Sequence, residues 1–299
     1  MSRYTTGLVY GLSAYLLWGL LPLYWKLIEA AGPFEILAHR GIWSLLLCVF
    51  LLAARKQLKS AYQMVKGRRT LSILLLSSGM LMLNWSVFIW AVTEDRVVES
   101  ALGYYITPLI NVTLGIFLLR ERLKILQKIA VALASIGVLV LTVGYGSLPW
   151  VALVLSTSWA CYSLIKKKLN LGALETLSVE ALFAFLPNFI YLIAIERSGD
   201  AIFGKDIWLT ILLLGAGAAT VTPLLLFNGA ATRLPLSTVG LLQYLTPTMM
   251  FLIGVFINNE DMAATKLLGF AFIWLALIIL SRDLFKSSRS IDDSVAKTL

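Results

Sequence analysis

The segment Tyr105-Ile106-Thr107-Pro108, continued by Gly115-Ile116-Phe117 and closed by Glu121, returns as Tyr244-Leu245-Thr246-Pro247, Gly254-Val255-Phe256 and Glu260. The copies are 139 residues apart (244 − 105) and share the pattern Y-x-T-P-x6-G-x-F-x3-E without a gap. Across residues 91–141 against 230–280, 11 of 51 positions are identical. Shared apolar composition yields several such matches but not an ordered motif, so the chain carries an internal repeat. With a gap of one or two residues, Trp18 falls over Trp159 and Glu35 over Glu175.

Both copies sit in long apolar runs. Of 299 residues, 59% are hydrophobic and 14% charged. Soluble domains hold about a quarter charged residues, so this balance points to lipid as the solvent. A formal charge of +9 invites a nucleic-acid reading. The charges, however, lie in short stretches between apolar runs instead of covering one surface, and this excludes it. Cys48 and Cys161 each stand alone in an apolar run, which suggests neither a disulfide framework nor a metal site. The first run, from Thr6, is longer than the core of a signal peptide, and Ala30–Ala31 is a poor cleavage site.

Crossing a bilayer takes about 20 apolar residues of helix. Ten runs qualify: 5–27, 34–54, 71–92, 98–119, 126–144, 149–168, 175–195, 207–228, 235–257 and 264–283. With the N-terminus in the cytoplasm, inside segments hold 19 Lys and Arg, outside segments 5, and Arg40 alone lies within a span. That asymmetry predicts an all-α membrane protein of ten transmembrane helices with both termini cytoplasmic. The repeat divides it into residues 5–144 and 149–284, followed by a polar cytoplasmic tail, 285–299. Five spans per half is an odd number, so the halves are expected to be inverted. Inverted repeats place a substrate site near the midplane between the halves and support alternating access. A channel instead favours rings of identical groups around one axis. An intramembrane enzyme needs a nucleophile–base pair or a metal cluster; the chain has one His and no H-E-x-x-H. No cofactor or metal is expected.

The helix-interior T-P in each half, with its G-x-F-x3-E ending, resembles the drug/metabolite transporter superfamily, specifically its EamA-type members. The stretches GLVYGLSAYLLWGLLPLYWKLI (7–28) and PFEILAHRGIWSLL (33–46) resemble that family's RarD group. The resemblance covers about residues 5–284. It implies a multi-pass permease of the bacterial cytoplasmic membrane, with a small organic molecule as substrate. The superfamily's substrates are varied, so the resemblance names none.

Ionisable groups inside a span are costly and are candidates for function. Arg40 lies about 10 Å past Pro33 at about 1.5 Å per residue. Glu180 holds a matching depth in the seventh span, within one residue of Arg40 under the repeat shift. Both are expected to line a central cavity. Arg40 would offer a fork of donors, and Glu180 would face a cation or carry a proton. His39 and Glu35 are four apart on one helix face; His39 joins the cavity list. The deep aromatics Trp18, Trp85 and Trp159 could wall a pocket. Asn84, Tyr105, Gln243 and Tyr244 could bind substrate or hold helices together. Pro108 and Pro247 break the backbone ladder in symmetry-related spans and are read as bending points. Glu121 and Glu260 are read as structural, each capping the helix that follows it. Lys166–Lys168 are read as interfacial anchors. Gly7 and Gly11, with Gly215, Gly217, Ala218 and Ala219, predict close helix packing. The expected partners are a small-molecule substrate and membrane lipid, with no nucleic acid; the chain would act as a monomer or homodimer.

Overall fold

A computed structural model describes residues 2–93, 97–143, 149–256 and 267–282. All regular structure among them is helical. In chain order the helices are α1 (Arg3–Lys26), α2 (Gly32–Ala54), α3 (Leu58–Lys66), α4 (Arg68–Thr93), α5 (Val97–Leu119), α6 (Ile125–Val143), α7 (Trp150–Leu169), α8 (Ala173–Ser198), α9 (Ile207–Ala231), α10 (Leu236–Leu242), α11 (Leu245–Phe256) and α12 (Leu267–Arg282). A 3-10 turn, Glu29–Ala31, joins α1 to α2. Seven segments among the described residues are long and apolar enough to cross a membrane, one in each of α1, α2, α4, α5, α6, α8 and α9. Large apolar side chains such as Phe50, Phe117, Ile125 and Leu139 point outward. An apolar exterior over polar interior groups is the pattern of a helix bundle dissolved in lipid.

The packing follows the repeat. Adding 139 carries α1 onto α7, α2 onto α8, α4 onto α9, α5 onto α10–α11 and α6 onto α12. The helix pairs exchange under this operation. α1 packs on α9 as α7 does on α4, and α5 on α7 as α10–α11 does on α1. α2–α8 and α5–α10 are self-paired. Gly7 and Gly11 sit at close contacts as the small-residue pattern predicts: a Cβ on Gly7 would meet Arg233 and Leu234, in the link after α9, at 2.9 Å, and one on Gly11 would meet Leu242 of α10 at 3.0 Å and Ala230 of α9 at 3.5 Å.

Two elements depart from the expected runs. A short amphipathic helix, α3, fills what reads as a loop and seats Ala61 against α8. The run 235–257 is not one helix. It breaks between α10 and α11 at Gln243–Tyr244. Pro247 explains the position: its ring clashes with the carbonyl four residues back, that of Gln243. Pro108 has the equivalent place, yet α5 runs straight through it. The two T-P sites therefore differ: the discontinuity belongs to the second half alone. Glu260 and the tail 285–299 lie outside the described residues.

Candidate substrate cavity

A cavity of about 600 Å³ opens among α1, α2, α4, α5, α7 and the α10–α11 junction. α1 contributes Tyr15, Trp18 and Trp25, and α2 contributes Arg40. Asn84 and Trp85 come from α4, Tyr104 and Thr107 from α5, and Trp159 from α7, while Gln243 and Thr246 flank the helix break. Lys26 and Glu29 line one end and are exposed there.

Arg40 is fixed from three sides. Its Nε donates to Thr220 Oγ1 at 3.0 Å. The Thr220 hydroxyl is itself oriented by donating to the Ala216 carbonyl at 2.8 Å. The guanidinium carbon lies 4.7 Å from the Trp25 ring centroid and 5.1 Å from that of Trp85. Such stacking suits a weakly hydrated planar cation.

Opposite, Trp18 and Trp159 meet edge to face at 5.4 Å. Tyr15 joins Trp18 at 5.6 Å, and Phe227 packs under both tryptophans. Tyr15 Oη and Trp159 Nε1 are buried without a hydrogen-bond partner among the described residues. Asn84 donates through Nδ2 to the Leu155 carbonyl (2.7 Å) and to Ser158 Oγ (3.0 Å), so its nitrogen ties α4 to α7. Gln243 Oε1 accepts from Asn111 Nδ2 at 3.2 Å.

Six of the ten expected cavity residues thus line one space: Arg40, Trp18, Trp85, Asn84, Gln243 and Trp159. The other four do not. Glu180 is 2% exposed and sits 2.7 Å from Lys166 Nζ. Its carboxylate also accepts from Ser77 Oγ at 2.6 Å and from Tyr162 Oη at 3.3 Å. Glu180 therefore meets a cation of the chain itself and lies outside the cavity, and the interfacial-anchor reading of Lys166 fails with it: that lysine is buried and paired. The legible signal was helical spacing. Lys166 follows Tyr162 by four and Ser163 by three, on the buried face. Lys167 lies off that face and donates to the Leu234 carbonyl.

His39 lies outside the cavity too. Its Nδ1 accepts from Trp43 Nε1 at 3.0 Å, its ring stacks on Phe203 at 4.6 Å, and its Nε2 is 3.8 Å from Glu35. Glu35 accepts from the backbone N–H groups of Ile202 and Phe203, each at 2.9 Å. This cluster holds α2 to the α8–α9 loop. Tyr105 and Tyr244 pair with each other beside the cavity, Tyr244 Oη donating to the Tyr105 carbonyl at 3.2 Å. Glu121 caps a helix, but not α6. Leu236 N and Ser237 N of α10 donate to it at 2.6 and 2.9 Å, and Ser237 Oγ at 2.7 Å. α5 lies beside α10, so the chain leaving α5 reaches the α10 N-terminus, whose own Pro235 offers no side-chain cap.

The EamA-like transporter family profile matches residues 5–143 and 148–282. The chain belongs to the EamA-like transporter family. Among its EamA relatives, Protein RarD of Streptomyces exfoliatus is 42% identical over 285 residues, covering 95% of this chain and 90% of that one. Protein RarD of Escherichia coli strain K12 is 40% identical over 284 residues, covering 95% and 96%. An "uncharacterized transporter" of Vibrio cholerae is 41% identical over 285 residues, covering 95% and 94%. A solved crystal structure superposes with a TM-score of 0.73 at 18% identity, covering 93% of this chain and 98% of that one; it speaks to the fold. The EamA chain described here is a RarD-like, multi-pass membrane transporter of the drug/metabolite type.

Proposed function

We propose that the protein is a carrier for a small amphipathic organic molecule, bound in the Arg40–Trp85–Trp159 cavity and released to either side by rocking of two inverted halves. The observation that carries this reading is contact between repeat partners. Tyr105 touches Tyr244, and Trp18 touches Trp159. A residue can touch its own partner only near the axis relating the two halves, so the cavity beside these pairs lies between the halves, where inverted-repeat carriers bind substrate.

The reading takes ten spans: the seven long apolar helices, α7, the broken pair α10–α11, and α12. α7 falls short on hydropathy because of Lys166–Lys168, and α10 and α11 because the break halves them. The halves are 5–144 and 149–284, with both termini in the cytoplasm of a bacterial inner membrane. Pro247 and the α10–α11 break form the bending point, with Pro108 its unbroken counterpart.

Flux in proteoliposomes tests it. A carrier gives saturable uptake and accelerated exchange when substrate is present on both sides. Flux that rises without saturation, or fails to exchange, overturns alternating access.

A further inference from the structure

We propose that the cavity takes an organic anion, a carboxylate on a flat apolar body, with Arg40 as the group that selects it. This rests on the carrier reading for the identity of the site and adds the charge of the substrate.

Among the described residues Arg40 has no carboxylate within 4 Å; the buried contacts between basic and acidic side chains fall elsewhere, at His39–Glu35 and Lys166–Glu180. The acidic group expected to share the cavity, Glu180, is already matched by Lys166 and two hydroxyls. A guanidinium carries five N–H donors in a planar fork. Among the described residues only Nε meets an acceptor, Thr220. The outer edge of the fork is left toward the cavity, the edge that grips a carboxylate with two parallel hydrogen bonds. Removing a cation from water is costly unless an anion joins it, so an anionic ligand offsets the desolvation cost of the Arg40 guanidinium.

Aromatic walls alone would also suit a cationic ligand. Two observations oppose that. The ring faces of Trp25 and Trp85 nearest the deep charge are occupied by Arg40 itself. Among the described residues the lining also holds two basic side chains, Arg40 and Lys26, against one carboxylate, Glu29. Deeper in, Tyr15 and Trp159 also line the cavity, and neither the Tyr15 hydroxyl nor the Trp159 N–H has a hydrogen-bond partner among the described residues. The Trp18–Trp159 pair supplies the surface for a ring.

The test compares head groups on constant bodies: phenylacetate, phenylacetamide and phenethylamine, then indoleacetate, indoleacetamide and tryptamine. Thermal stability of the purified full chain in detergent reports binding, and uptake into proteoliposomes reports transport. Wild-type protein is expected to bind an acid on the order of 10- to 100-fold more tightly than its amide, the yield of charge-assisted hydrogen bonds. Arg40→Gln is expected to bring acid and amide to parity. Arg40→Lys should fall between, since an ammonium keeps the charge without the fork. An acid no tighter than its amide in both series overturns the anion assignment, and so does a preference that persists in folded Arg40→Gln. The wild-type comparison decides the question even if the variants do not fold. If amides or amines are carried and acids are not, the anion assignment falls and the carrier stands. If acids bind but none crosses the bilayer, the carrier reading falls and the anion site stands.

Discussion

Tyr244 donates its hydroxyl to the backbone carbonyl of Tyr105, the residue 139 positions earlier that is its own repeat partner. Among the described residues the bond has no symmetry mate. Tyr105 turns its ring toward Phe270, edge to face at 5.4 Å. Two copies of one sequence element thus meet near the axis and are used differently, one within a continuous helix and one at a helix break. The tyrosine bond crosses from the straight element to the broken one.

Tyr244→Phe removes that bond and keeps the buried ring. The Tyr105 carbonyl sits inside α5, so little is left unsatisfied, and the expected loss of stability is about 1 kcal/mol. Because the bond joins α5 to the break, the rate of substrate exchange should change more than the binding affinity. Thermal unfolding in detergent and exchange flux in proteoliposomes check the two parts.

The Lys166–Glu180 pair calls for a double-mutant cycle. Glu180→Gln alone strands a buried ammonium, and Lys166→Met alone strands a carboxylate. Each is expected to cost about 3–5 kcal/mol. The combined variant should recover much of that loss, because no charge is left behind. Chemical denaturation of the single and double variants measures the coupling. Additive losses would mean that the pair is not acting as a unit.

These residues also mark how far sequence carries. Apolar runs and charge asymmetry report whether a segment is helical and prefers lipid, and at what depth a residue lies. Arg40 was legible for that reason: a guanidinium so deep must face the interior. Glu180 has a comparable depth, but which neighbour it meets depends on the rotation of α8 against α4 and α7, which no local pattern encodes. Lys166 was masked by the two lysines that follow it, although its spacing from Tyr162 held the clue. Glu121 was legible as a cap but not in its choice of helix, since α10 is distant in the chain and adjacent only once α5 and α10 pack. Pro247 sets where a break would fall, at the residue four before it, yet Pro108 in an almost identical motif produces none. Tertiary packing decides between them.

Glu121 supports α10 through three donors, so Glu121→Ala frees two backbone N–H groups and a hydroxyl together. A lost N-cap costs about 0.5–2 kcal/mol, and this one should fall in the upper part of that range. Amide exchange should rise through residues 236–242 while α5 stays protected. Uniform exchange across both helices would argue that Glu121 is not the local anchor of α10.

Packing at Gly217 reaches the cavity through two short steps. A Cβ there would come within 2.5 Å of the Trp43 carbonyl carbon and 2.7 Å of its oxygen, both backbone atoms of α2. Backbone cannot turn aside as a side chain can, so Gly217→Ala must push α9 away from α2. Trp43 lies three residues from Arg40, and Gly217 three from Thr220, so both ends of the 3.0 Å Arg40–Thr220 bond ride on the helices being separated. Overpacking of this kind costs about 1–3 kcal/mol, and the displaced guanidinium should also bind carboxylates less tightly. Gly79→Ala is the control: nothing lies within 4 Å of its Cβ. Replacing a glycine inside α4 there should leave stability unchanged or raise it by up to about 1 kcal/mol, with binding intact. Thermal unfolding and phenylacetate affinity, measured on both variants, separate a steric effect transmitted to Arg40 from a general loss of helix packing. If Gly217→Ala is destabilised but binds phenylacetate as wild type does, the α2–α9 contact holds the bundle without setting the position of Arg40.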